Sequence, residues 1–294
     1  TGVTSICAVP GLTRGTITEQ VVIGTPGTLK RAVSSGQLST RYLKILVFDE
    51  ADQMLAEDGF QDDSLRIMKY IERSAGGCQV LLFSATFNET VKDFASKVVK
   101  DCNQLFVKKE ELSLESIKQY KVYCPDELAK LELLKDRIFL VAEKLAQTII
   151  FVKMKKSAAE LHKTLSDAGW SCTAVSSNLE VEKRDALIKE FKAGLTKVLI
   201  CTDVLARGFD QSQVNLVVNY DLPVKHNFGP DYEVYLHRIG RAGRFGRKGV
   251  VFNLMCSEKD KKVMEDIGKY FQHHIAEIPS SEEGFEAALK EAGL

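Results

Sequence analysis

The chain has 294 residues, 45% of them hydrophobic and 27% charged, which excludes a disordered or low-complexity polymer and leaves room for two globular domains. Forty Lys and Arg balance forty Asp and Glu, so any nucleic-acid surface must be a local stripe and not a global excess of charge. Seven scattered cysteines, never in a C-x-x-C arrangement, exclude an evident disulfide framework or zinc site and fit a reducing compartment. No apolar run approaches the roughly 20 residues of a membrane span, and no secretory signal opens the sequence, so a soluble protein is expected. A chain that starts at Thr1 is expected to begin inside a longer protein.

In chain order, short β-rich runs alternate with amphipathic stretches. Strands are predicted at 5–9, 20–23, 43–48, 79–84, 104–107, 118–124, 148–152, 171–176, 197–202, 214–220 and 249–255. Most are continuously apolar, as strands buried on both faces are. Helices are predicted within 25–36, 64–75, 89–100, 127–144, 156–169, 182–194 and 258–271, with Leu128, Leu131, Leu134 and Ile138 on one face and Gly169 and Gly194 as stops. This alternation predicts an α/β fold of parallel sheets covered by helices, with ligands beyond the carboxyl ends of the strands. The polar stretch 109–116 lacks apolar periodicity and reads as a linker between domains at 1–108 and 117–294.

The run LKILVFDEADQML ends an apolar strand in two carboxylates, Asp49 and Glu50, where a parallel sheet presents groups to a ligand. Carboxylates there can hold a magnesium ion through its waters and polarise an attacking water. The bare pair reads equally well as an acidic helix start; the full string Asp49, Glu50, Ala51, Asp52 is far more specific. Ser84, Ala85 and Thr86 follow the next buried strand, which alone is an ordinary polar strand end. Thr25, Pro26 and Gly27 would also begin any helix. Farther on, TDVLARGFD follows a buried strand at 202–210. HRIGRAGR at 237–244 packs three arginines and a histidine into a predicted helix, where two glycines suit close approach of another surface better than a solvated basic face. The other histidines, His162, His226, His273 and His274, read as surface residues, and Trp170 as a packing residue.

In this order and spacing the motifs resemble the DEAD-box RNA helicases over nearly the whole chain. The resemblance implies two RecA-like parallel-sheet domains, the first incomplete, and local unwinding of short RNA duplexes driven by ATP with Mg2+. It places Asp49 on the metal, Glu50 on the attacking water and Asp52 in the same carboxylate motif, while Ser84 and Thr86 couple hydrolysis to strand separation. Gly24, Thr25, Pro26 and Gly27 would hold RNA phosphates, joined by Arg184, Thr202, Arg207 and Gly208. Asp210 would contact the ribose of ATP. Arg241 and Arg244 would reach its terminal phosphate across the domain cleft as arginine fingers, and His237 and Arg238 would link to the carboxylate motif.

The connection PVKHNFGPDYEVY and the form of the TPG and DEAD strings resemble the mRNA-export group. That implies a nucleoporin and an activator using inositol hexakisphosphate as partners, residence in cytoplasm and nucleus at the cytoplasmic face of the pore, and a monomer. Two departures stand out. No G-x-x-x-x-G-K-[ST] string and no adenine-reading glutamine element occur in the sequence, so truncation is expected and the chain as written is expected to be inactive. Val181 replaces the usual Gln of a Gln-x-x-Arg helix start while Arg184 is kept. The competing readings are an ATP-independent RNA- or partner-binding module and a DNA-acting relative.

Overall fold

Strands whose side chains are apolar at every position have no wet face, and the second half of the chain buries them on both. The computed structural model describes residues 2–11, 15–74, 77–107, 117–139, 145–176, 179–203, 211–225 and 229–294. The chain divides into two units, Thr1–Leu105 and Phe106–Leu294. The expected linker at 109–116 lies outside the described residues, as does 140–144 of the helix expected at 127–144.

In the first unit, β1 (Ser5–Ala8) pairs in parallel with β2 (Val21–Gly24), and β3 (Ile45–Phe48) with β4 (Gln79–Leu82), as two separate two-stranded sheets. Helices α1 (Pro26–Ser34), α2 (Ala51–Ala56), α3 (Phe60–Ser74) and α4 (Glu89–Val98) accompany them. The Asn88 side chain starts α4 by accepting from Val91 N at 3.0 Å. A small core forms where Phe94 of α4 meets Phe48 of β3 edge-on, with ring centroids 5.2 Å apart. Elsewhere the short strands leave apolar surface in solvent: Ile23 is 57% exposed and Ile45 52%. Residues 104–107, expected as a strand, fall in none. An apolar β-branched run supplies propensity, but a strand exists only by pairing, and Leu105 and Val107 stay exposed.

The second unit is one all-parallel sheet of β5 (Ile117–Tyr123), β6 (Gln147–Phe151), β7 (Cys172–Val175), β8 (Val198–Cys201), β9 (Val214–Asn219), β10 (Gly249–Met255) and the short β11 (Ala276–Glu277). Their spatial order is β11, β5, β10, β9, β6, β8, β7. Helices α5 (Glu127–Leu133), α6 (Lys155–Asp167), α7 (Val181–Lys192), α8 (Tyr232–Ile239), α9 (Glu258–Phe271) and α10 (Glu282–Ala292) complete it. Two apolar clusters form its core. Asp126, Asp231, Ser257 and Ser281 each accept from a backbone N–H of the first turn and so fix where α5, α8, α9 and α10 begin. Helices α6 and α7 end just before Gly169 and Gly194, as predicted.

Of the face expected on the helix at 127–144, Leu134 and Ile138 are buried and Leu131 packs against the same core, and only Leu128 departs from it. Because α5 starts at Glu127, Leu128 sits in its first turn and is exposed, while Lys130, Leu133 and Leu134 are buried; a π-helical turn at Leu134–Ile138 then shifts the register. Lys130 Nζ is accommodated there by Tyr220 O and Glu127 Oε1, both at 3.2 Å. Trp170 packs, stacking on Phe139 at 4.7 Å between centroids. Among the described residues no helix is long and apolar enough to cross a membrane.

The helix α10, absent from the sequence reading, is integral to the core: Phe285 is fully buried and meets Phe252 edge-on at 4.8 Å. Truncating it to Ala should cost about 3–5 kcal/mol, read as a lowered urea midpoint for the second unit's transition; an unchanged midpoint would mean that α10 is dispensable.

Candidate functional site

The ladder between β3 and β4 runs one step beyond the strands. Phe83 N donates to Phe48 O at 2.8 Å, and Ala51 N donates to Phe83 O at 3.0 Å. This continuation lays the strings at 49–52 and 84–86 side by side at the carboxyl end of a parallel sheet. Asp52 is buried there: its Oδ2 accepts from Thr86 Oγ1 at 3.0 Å and its Oδ1 from Gln53 N at 3.0 Å. Ser84 Oγ accepts from Asp52 N at 3.2 Å and donates to Thr86 O at 2.7 Å. A carboxylate can be buried only with donors around it, and here those donors tie one string to the other.

Asp49 remains exposed, its Oδ1 accepting from Glu50 N at 2.9 Å. Glu50 caps α2 with φ 48 and ψ 49, in the left-handed region. For an L residue that conformation costs about 1–2 kcal/mol, and such strained residues gather at functional sites. Among the described residues no three His, Cys, Asp or Glu cluster as metal ligands. Mg2+ keeps several waters and is ordinarily held by one or two carboxylates with substrate phosphates, so a solvent-accessible Asp49 at the strand end is a suitable donor.

Thr25, Pro26 and Gly27 lie where β2 passes into α1. Pro26 opens the helix as expected, yet Thr25 makes no cap bond and its Oγ1 donates to Thr28 Oγ1 at 3.2 Å. A Cβ on Gly24 would stand 2.9 Å from Ala8 O, and one on Gly27 3.3 Å from Asp63 Oδ2. Asp63 also accepts from Lys30 Nζ at 2.6 Å, clamping α1 to α3. Packing against the Ala8 backbone therefore dictates glycine at position 24, a constraint that a simple helix start does not impose, while at Gly27 the neighbour is a side-chain oxygen.

In the second unit, HRIGRAGR is not one helix. α8 stops at Ile239 with Gly240 as its cap, and Gly243 then turns the chain at φ +68, where a Cβ would stand 3.1 Å from Arg247 O and 3.2 Å from Ile117 Cγ1. The close approach expected of the glycines thus falls on Gly243, while a Cβ on Gly240 would meet only carbonyls of its own helix. Arg241 Nε donates to His237 O at 3.1 Å and Arg244 Nε to Gly240 O at 2.9 Å, satisfying carbonyls that the helix end leaves open. His237 and Arg241 are buried, Arg244 half-buried.

Arg238 is only 1% exposed. Its Nε donates to Asp203 Oδ1 at 2.6 Å and its Nη1 to Asn219 Oδ1 at 3.1 Å and Asp221 O at 2.7 Å, while its guanidinium lies 5.0 Å from the Phe151 ring centroid. A solvated basic face is excluded. Neither Asn219 nor Asp221 belongs to a motif read from the sequence. Burial pushes the Asp221 carboxyl above the usual carboxylate range, although Lys153 N donates to it at 2.7 Å.

Thr202 follows β8, buried, and its Oγ1 has no hydrogen-bond partner among the described residues. Arg184 lies half-buried in the first turn of α7, three residues after an exposed Val181. Arg207, Gly208 and Asp210 lie outside the described residues. The structure thus brings Asp49, Glu50, Asp52, Ser84 and Thr86 together in one unit, and His237, Arg238, Arg241, Arg244 and Asp203 in the other.

Residues 11–94 match the family described as DEAD/DEAH box helicase, and residues 129–246 the Helicase conserved C-terminal domain. The solved structure of Saccharomyces cerevisiae Dbp5 bound to RNA and ADP BeF3 superposes with a TM-score of 0.89 at 35% identity, over 99% of this chain and 74% of that one. The chain belongs to the DEAD-box RNA helicases. Another member, DEAD-box ATP-dependent RNA helicase 38 of Oryza sativa subsp. japonica, is 58% identical over the whole of this chain, which spans 61% of the rice protein. A variant Dbp5 solved with Nup159, Gle1, IP6 and ADP superposes at a TM-score of 0.66 with 34% identity, over 98% of this chain and 75% of that one. The α/β fold with RecA-like parallel sheets is accordingly that of DEAD-box helicases.

Removing the Arg238 guanidinium from this family's arginine motif leaves Asp203 and Asn219 without their donor. Asp203 is half exposed and can turn to water, but Asn219 Oδ1 stays buried, so Arg238→Met should cost about 1–3 kcal/mol, whereas Arg244→Ala, at a half-buried helix end, should cost under about 1 kcal/mol. Urea denaturation of both variants checks the contrast, and equal losses would refute it.

Proposed function

We propose that this chain supplies the carboxylate, RNA-phosphate and arginine elements of an ATP-dependent RNA helicase that opens short duplexes or remodels RNA–protein complexes in mRNA export. The carrying observation is the junction of the 49–52 and 84–86 strings: a buried Asp52 held by Thr86, next to a Glu50 kept in a left-handed backbone. Such a junction ties the end that would face nucleotide to the strand that would respond to RNA. It favours an enzyme over an ATP-independent binding module.

In this reading Glu50 orients and activates the attacking water, and Arg241 and Arg244 neutralise charge developing on the terminal phosphate. Arg238 positions them from within its own unit. Asp49 would hold Mg2+, which when bound supplies charge neutralisation at the phosphates. Gly24, Thr25, Pro26, Gly27, Arg184, Thr202, Arg207 and Gly208 contact RNA phosphate and sugar, so little sequence preference is expected. Asp210 contacts the ribose of ATP. Nup159, Gle1 and IP6 in the Dbp5 structure support a nucleoporin and an inositol hexakisphosphate-dependent activator as partners of this protein. They also support action at the nuclear pore and in the cytoplasm; residence in the nucleus as well, a site at the cytoplasmic face of the pore and a monomeric state belong to the same proposal. The proposed domain division is 1–108 and 117–294, joined through 109–116.

In the whole protein, Glu50→Gln should leave ATP and RNA binding in place and cut RNA-stimulated hydrolysis by about 10²–10⁴. Turnover at the parental rate would sink the assignment. Arg244→Ala should lose about 10³–10⁵ in the same assay if it acts as an arginine finger. The 294-residue chain has no P-loop string to cradle the β-phosphate; micromolar ATP affinity by this chain alone, measured calorimetrically, would reveal a phosphate site of another kind.

A further inference from the structure

Two fully buried asparagines lie within mostly apolar strands of the second unit, Asn219 in β9 and Asn253 in β10, and the parallel register sets them directly opposite each other. Asn219 Nδ2 donates to Asn253 Oδ1 at 2.8 Å, and Asn219 Oδ1 accepts from Arg238 Nη1 at 3.1 Å. Asn253 Nδ2 donates to Tyr120 O at 3.0 Å and to Tyr235 Oη at 3.3 Å; Tyr235 Oη in turn donates to Gln119 Oε1 at 2.8 Å.

The direction of this chain of bonds is forced. A guanidinium only donates and a backbone carbonyl only accepts. Arg238 at one end therefore requires the oxygen of Asn219, which turns the Asn219 amide nitrogen toward Asn253. That nitrogen requires the oxygen of Asn253, whose own nitrogen then meets the Tyr120 carbonyl at the other end. Neither amide can flip without setting donor against donor or acceptor against acceptor in a dry interior, a conflict as costly as losing the bond. Tyr235 belongs to α8, the helix that also carries His237 and Arg238, so the line grips this helix at two points.

We propose that Asn253 and Asn219 are positioning residues for RNA-stimulated ATP hydrolysis: they fix Arg238 against Asp203, and so hold Arg241 and Arg244 in register with the segment beginning at Thr202. The proposal rests on the helicase reading above. Asn253 lies outside every motif read from the sequence and sits on β10, a different element from the α8 that carries Arg238.

The test uses the whole protein, with ATPase measured at saturating and limiting RNA and ATP and rates normalised to the folded fraction. Asn253→Leu matches the shape and removes every bond. It should lower RNA-stimulated kcat about tenfold to a hundredfold, the scale of small misplacements at a catalytic centre, with the KM for ATP nearly unchanged. Asn253→Asp adds a readout that packing alone would not move. A protonated carboxyl still donates to Tyr120 O and accepts from Asn219, whereas the ionised form sets oxygen against oxygen. Because burial raises a carboxyl pKa, the kcat of Asn253→Asp relative to parent should fall as pH rises between about 6 and 9.

Parental kcat in Asn253→Leu overturns the proposal. So does a lowered kcat in Asn253→Asp whose ratio to parent is flat across that pH range. If the parent itself shows no RNA-stimulated ATPase, the helicase reading fails, and that outcome is distinct from failure of the asparagine pair.

Discussion

A guanidinium cannot lose its proton inside a protein, so burying Arg238 obliges the fold to surround it with acceptors. The sheet provides them at the carboxyl ends of its strands: Asp203 just beyond β8, Asn219 at the end of β9 and the carbonyl of Asp221 just after it. Each of these positions is set by the parallel order of β9, β6 and β8, and the Phe151 ring at the end of β6 lies near the guanidinium. With the cation fixed, α8 has one permitted rotation against the sheet. The arginines that follow are placed by short-range geometry, Arg241 bonding the carbonyl of His237 and Arg244 that of Gly240.

The first unit solves the inverse problem with Asp52. A buried anion needs donors, and they come from Gln53 N and from Thr86 of the neighbouring strand's extension. In both units a charge taken out of water ties one strand end to the next element. The energetic logic is that of a buried ion that destabilises sharply when its partner is removed, whatever the pair contributes relative to an apolar replacement. Such ties fix orientation, and orientation is what phosphoryl transfer demands of a protein.

Much of this was legible in the sequence because periodicity and position were both strong. The apolar runs at 214–220 and 249–255 read as doubly buried strands and are so, whereas the equally apolar run before Asp49 and Glu50 forms β3 with Ile45 and Val47 half exposed. Other features had weaker signals. Helix α10 was missed although Ser281 ahead of an acidic first turn is an ordinary helix start. The HRIGRAGR string was read as continuous helix because its basic periodicity outweighed its glycines, yet Gly243 needs a left-handed turn to admit Ile117 and Gly249. The strand expected at 104–107 failed because propensity is local and pairing is not. Asn219 and Asn253 did leave a trace, as polar residues inside strands with no polar face, but their register cannot be known until the sheet order is.

The left-handed backbone at Glu50 sets two demands that no single residue meets. Glycine would relax the turn, since it enters that region without a Cβ clash, but it would carry no carboxylate. In the role proposed for Glu50, selection for stability alone and selection for hydrolysis pull position 50 in opposite directions. A gene copy released from hydrolysis, and still required to fold, should drift there toward glycine or asparagine before it loses the surrounding Asp52 and Thr86 contact. Under that proposal, the residue at this one position would record whether a lineage has kept its ATPase.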